Sequence, residues 1–166
     1  MISPNANPKP LENGLLVDTN VWLSHYLGFR TDHSVASRFV SATIENQVPL
    51  YYAVHCVKDV FYQTEVALKR YAKAQGALTE ASASAASESA WAIVTNLQEI
   101  ATVVGADLSD VWLAQTYKEI HADFEDDMLA AAMKRCHADY LVTFDQKLRK
   151  RSPVAVLTPE ELLCLL

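Results

Sequence analysis

Long apolar runs are missing from this sequence, and no stretch is long enough to cross a bilayer. The amino terminus has neither the basic start nor the apolar run of a signal peptide. Met1 to Gly14 is instead rich in Pro and Asn, so residues 1–13 read as a flexible tail ahead of the fold. Cysteine is scarce. Cys56, Cys136 and Cys164 are odd in number, far apart and without C-x-x-C spacing. That excludes a disulfide or zinc scaffold and points to a reduced, cytoplasmic protein with buried thiols, two of them (Cys136 and Cys164) in apolar helical patterns. Positive charge is short as well: 14 Lys and Arg stand against 20 Asp and Glu, a net charge of -6. Such a chain does not coat nucleic acid through its overall field. An enzyme whose negative charge is concentrated at a metal site remains open. No His cluster, G-x-S-x-G, Walker loop or internal repeat is present.

What is present is a chain of 166 residues, half of them hydrophobic, enough for one domain with a real core over residues 14–166. Leu15-Leu16-Val17 reads as a buried strand ending in Asp18, with Thr19 or Asn20 capping a helix over Val21 to Leu27. Val35, Phe39, Val40 and Ile44 give a second helix. Leu50 to Val54 gives a second strand, and Val57 to Tyr71 a long helix. Leu78 to Ala90 is Ala- and Ser-rich, either a flexible joint or the start of the helix carrying Trp91, Val94 and Leu97. Thr102-Val103-Val104 is a third strand. Ser109 and Asp123 cap two further helices, the second running Phe124 to His137. Tyr140 to Thr143 is a fourth strand, Val154 to Leu157 a fifth, and Pro159 opens a last short helix. Continuous apolar strands alternating with helices predict an α/β fold with a parallel sheet covered on both faces.

In such sheets ligands bind beyond the carboxyl ends of the strands. Asp18 and Asp145 directly follow strands. Asp59 and Asp126 are placed in first turns of helices, where the dipole favours negative charge. Gathered carboxylates repel one another, and a divalent cation with oxygen preference resolves the repulsion. A metal-bound water beside a polarised phosphoryl oxygen is the chemistry of phosphodiester cleavage. Each acid also has a plainer role: Asp18 as a cap, Asp145 as a turn residue, Asp59 as a surface residue on a wheel that sets it beside Gln63 and Val66. Asp126 lies at the edge of the buried Leu129/Met133 stripe, whereas Asp127 shares a face with Ala131 and Lys134 that suggests solvent. Trp22, Trp91 and Trp112 read as core rather than base-stacking platforms. The five histidines are scattered and read as structural or exposed. Lys147, Arg149, Lys150 and Arg151 form a basic cluster whose ordinary reading is a solvated face.

Four ordered segments resemble the PIN-domain family. Leu15-Leu16-Val17-Asp18-Thr19-Asn20-Val21-Trp22-Leu23 resembles its opening strand and first acid. Val48 to Tyr62, containing Lys58-Asp59, resembles the second-acid segment. Asp123-Phe124-Glu125-Asp126 resembles the third, with Asp126 the ligand, and Ala138 to Asp145 resembles the strand that delivers the fourth. The resemblance spans about residues 14 to 158. It implies a three-layer α/β/α sandwich with a central, mostly parallel sheet. It also implies an Mg2+- or Mn2+-dependent endoribonuclease in which Asp18, Asp59, Asp126 and Asp145 hold the metal and Asn20 and Thr143 support them. Water would attack the phosphodiester, leaving a 5′-phosphate and a 3′-hydroxyl. The second acid departs from the family's usual Glu. Short free-standing members are commonly toxins of toxin–antitoxin pairs, so the resemblance further implies an RNA substrate, a small antitoxin partner and a homodimer, with no membrane role.

Two other readings fit parts of the pattern. A phosphatase or phosphotransferase of the haloacid dehalogenase type also places an Asp after its first strand, but wants a second Asp where Asn20 stands. A non-catalytic interaction module would use the four acids only as caps.

Overall fold

The computed structural model describes residues 11–120 and 123–166. Most of the expected tail lies outside the described residues. Among these residues five strands form one sheet in the order β3-β2-β1-β4-β5, every pair parallel: β1 (Leu15–Val17), β2 (Leu50–Ala53), β3 (Thr102–Val104), β4 (Tyr140–Val142) and β5 (Val156–Leu157). Among the described residues eight helices cover it: α1 (Thr19–Tyr26), α2 (His33–Glu45), α3 (Val54–Ala74), α4 (Glu80–Ile100), α5 (Leu108–Tyr117), α6 (Phe124–Cys136), α7 (Gln146–Arg151) and α8 (Pro159–Leu163). The three-layer α/β/α reading holds, with the sheet wholly parallel.

Alternation in β1 builds the two cores. Leu15 and Val17 point to one face with Trp22, Phe39, Tyr52, Leu97 and Leu162, while Leu16 points to the other with Cys56, Leu129, Met133, Leu141 and Leu148. A strand buried on both faces must be apolar throughout, and all three β1 residues are fully buried. The buried Trp22 indole N–H donates to the Val17 carbonyl at 3.1 Å, which fastens α1 to the strand it follows. Gly14 enters β1 at φ +89, and a Cβ there would stand 2.3 Å from the Pro49 carbonyl oxygen. Only glycine allows β1 to start this close to β2.

Several boundaries moved. The Ala/Ser stretch is helix: α4 starts at Glu80, with Thr79 and Ser82 forming a reciprocal cap. Ala86 and Ala90 are buried, so small side chains let α4 lie close along α3. The cap of α5 is Asp107 rather than Ser109. A short helix, α7, follows Asp145 where sequence patterning gave none; its cap and Leu148, its one buried residue, hold it. Trp22 is core, but Trp91 and Trp112 are each 60% exposed, a correction to the expectation that both pack inside. Of the thiols, all free, Cys56 is buried, Cys136 half-buried and Cys164 exposed. Among the described residues no helix is long and apolar enough to cross a membrane.

Candidate active site

The chain leaves β1 for β2 and β3 on one side, then returns to place β4 on the other. In sheets of this kind such a reversal forms the crevice where ligands bind, here at the carboxyl ends of β1 and β4. Val17 pairs with Val142, and the next residues are Asp18 and Thr143. Asp18 N–H donates to the Val142 carbonyl at 3.0 Å, so the ladder itself holds both side chains side by side.

A closed polar network follows. Asp18 Oδ2 accepts from Asn20 Nδ2 at 2.6 Å and from Thr143 Oγ1 at 2.7 Å. Asn20 Nδ2 also approaches Thr143 Oγ1 at 2.8 Å, and Asn20 Oδ1 accepts the Phe144 N–H at 3.1 Å. Thr143 Oγ1 accepts the Asp145 N–H at 2.9 Å. Asp145 is exposed, and its Oδ1 accepts the Lys147 and Leu148 N–H groups, capping α7. Four of the six expected site residues are therefore tied directly together.

Asp18 is 7% exposed, and burial pushes its carboxyl up to about 6, against the pull of Thr143 and of the Thr19 and Asn20 backbone. Glu125 adds a repulsive push from the first turn of α6. Burial raises Glu125 too, with the charges of Asp59 and Asp123 adding to it and that of Lys58 opposing. Cys56 is buried, its thiol pushed up to about 12 by desolvation, with Asp18, Glu125 and Asp59 contributing. None of the described ion pairs reaches Asp18.

Asp59 lies in the second turn of α3, because that helix starts at Val54 rather than Val57. It is half-buried, 3.5 Å from Lys58 Nζ, and electrostatically adjacent to Glu125 and His55. Asp126 is half-buried and its N–H faces Asp123 Oδ1 at 3.5 Å. Asp127, expected in solvent, is 3% exposed, since α5 packs on that face of α6. Asp123 is the cap of α6, as expected, accepting the Glu125 N–H at 3.0 Å. Glu125 was given no role in the sequence reading; its position in a first turn, one residue before Asp126, was the available signal.

An ionic clasp ties α6 to α5. Arg135 donates to Asp110 Oδ1 at 3.0 Å through Nε and to Oδ2 at 2.7 Å through Nη2, and Nη2 also pairs with Asp107 at 2.8 Å. Asp110 is buried, and Arg135 lowers its pKa. An open cleft of about 670 Å3 lined by Asn13, His137 and Pro153 lies at the amino ends of the strands, away from these acids.

Among the described residues no three His, Cys, Asp or Glu side chains already enclose an ion position. The donors at the crevice are nevertheless carboxylate oxygens, the type a hard divalent cation takes. A desolvated Asp18, repelled by Glu125 and without an ion pair among the described residues, is the electrostatic deficit such an ion would relieve.

No curated protein is significantly similar in sequence. Among solved structures the chain is similar to the Mycobacterium tuberculosis toxin VapC20, described as cleaving the sarcin-ricin loop, with 16% identity and a TM-score of 0.58 over 84% of this chain and 95% of that one. It is also similar to VapBC2 of Rickettsia felis, solved with a DNA fragment from its promoter, with 9% identity and a TM-score of 0.61 over 87% of this chain and 97% of that one. At these identities the likeness is one of fold. The PIN-domain family model matches residues 14–147, most of the chain, and the protein belongs to the PIN-domain family.

Proposed function

We propose that this protein is a metal-dependent endoribonuclease, the toxin of a toxin–antitoxin pair, with Asp18, Asp59, Asp126 and Asp145 as its metal ligands and Asn20 and Thr143 as their supports. The observation that carries this reading is the Asp18 network at the β1/β4 crevice. A carboxylate at the centre of the sheet is desolvated, oriented by two donors and repelled by Glu125, and none of the described ion pairs reaches it. A bare acid in that state is costly; one that binds Mg2+ or Mn2+ is not. Bound there, the cation would polarise a phosphoryl oxygen and lower the pKa of a water.

The protein's own residues supply orientation. Thr143 and Asn20 fix the Asp18 oxygens, so little reorganisation is needed when the ion or substrate arrives. Glu125, through its charge on Asp18 and Asp59, is placed to accept a proton or add negative potential at the crevice mouth. The haloacid dehalogenase alternative loses ground here. Asn20, where that pattern wants an acid, is fully engaged in holding Asp18, Thr143 and Phe144.

Family membership supports a nuclease, and the sarcin-ricin activity of VapC20 together with the paired VapBC2 complex supports a toxin with an RNA substrate and a small antitoxin. Homodimerisation and work in the cytoplasm belong to the same proposal. The test is a labelled RNA panel incubated with Mg2+, with Mn2+ and with chelator, the product ends then being mapped. Cuts that need metal and leave 5′-phosphates are expected. Cuts that persist in chelator, or that leave 2′,3′-cyclic phosphates, would remove the metal-dependent reading.

A further inference from the structure

We propose that α7 is the track that holds the RNA strand beside the acid crevice, with Lys147, Lys150 and Arg151 on its phosphates; the inference rests on the nuclease reading above. The chain carries a net charge of -6, and the crevice is itself acidic. A polyanion reaches such a site only if cations next to it offset the repulsion. Four of the chain's 14 Lys and Arg fall within the six residues of α7.

Their placement is fixed at both ends. Asp145 caps α7 and is itself bonded to Thr143, which holds Asp18, so the helix starts at the crevice. Leu148, 1% exposed, plugs into the core between β4 and α6 and turns the long cations outward. Arg149 is taken up by an ion pair with Glu161. Lys147, Lys150 and Arg151 are exposed, and among the described residues none of the three forms an ion pair. Three unneutralised cations in five residues, beginning two positions past Asp145, suit a phosphate backbone leading into the crevice. An acidic peptide would match the charge, but it has no reason to lie continuous with a phosphodiester-cleaving site.

The experiment measures binding of a labelled single-stranded RNA by fluorescence anisotropy, in an Asp18→Asn background to prevent turnover, over a series of salt concentrations. Lys147→Gln, Lys150→Gln and Arg151→Gln are combined in one variant. Arg38→Gln, Arg70→Gln and Lys73→Gln, exposed on α2 and α3, form the charge-matched control. Melting curves confirm that both remain folded. The α7 variant should bind roughly tenfold more weakly than the control, and its slope of log K against log salt should be shallower by about 2. Equal affinity and equal slope in the two variants overturn the proposal, as does a parent that binds no RNA. RNA that is bound through α7 but never cut by the unmutated protein would sink the nuclease reading and leave the track standing. Cutting that is indifferent to the α7 variant would do the reverse.

Discussion

Asp18 carries the sharpest consequences at the scale of single residues. Its folded carboxyl sits at about 6, above the ordinary 3.8, so the metal-free folded state holds a proton that the unfolded chain has already released. Stability of the metal-free protein should therefore fall as pH rises from about 4 through 6, by about 2–3 kcal/mol in all. Asp18→Asn keeps the shape without the charge. It should flatten that dependence and raise the melting temperature of the metal-free protein at pH 7.5. Added Mn2+ should then stabilise the parent and not the variant. Differential scanning fluorimetry at several pH values, with and without metal, reads all of this. A variant less stable than the parent in chelator would show that Asp18 is a structural cap. Thr143→Val tests the network from its other side, removing one donor to Asp18 and one acceptor of the Asp145 N–H. Cleavage should drop roughly 10- to 100-fold, with metal affinity weakened alongside. Cleavage at the parent's rate would mean that Thr143 orients nothing.

At the scale of elements, the site depends on how α6 is held. Arg135→Ala removes the partner of buried Asp110 and loosens α5 from α6, and with them Glu125 and Asp126 at the far end of α6. A lower melting temperature and weaker metal binding are expected together; a melting temperature unchanged from the parent would show the clasp to be a surface ornament. Thr79→Ala opens the capping box of α4 and should cost about 1 kcal/mol in chemical denaturation while leaving cleavage alone. These elements also show what the sequence made legible. β1, β2 and β4 were readable because strands buried on both faces are apolar without interruption. Asp18 was readable because it stands at a strand end, whereas Thr143, which read only as strand, came into view through the resemblance to the PIN-domain family. α7 was not, since a six-residue helix with one buried side chain leaves no periodic signal. Asp127 was misplaced for a different reason: periodicity gives the face of a helix, not what will cover it. Trp91 and Trp112 failed on the same ground, as apolar neighbours in sequence do not guarantee a packing partner. Glu125 went unassigned because the sequence alone does not reveal which first-turn acid turns toward a neighbouring strand end.

At the scale of the whole molecule, topology does most of the work. Five parallel strands with β1 in the middle bring residues more than 120 positions apart into hydrogen-bond contact, and the reversal between β1 and β4 leaves an opening there. Acids on α3 and α6 gather over the same edge, while α7 carries the opposite charge away from it. The most direct test of a metal nuclease at this edge is RNA cleavage by the parent, Asp18→Asn and Asp126→Asn, assayed side by side in Mn2+. Cutting by the parent, and loss of at least about a hundredfold in both variants with folding intact, is the expected result. Cutting that survives both substitutions would contradict the assignment of the crevice as the active site.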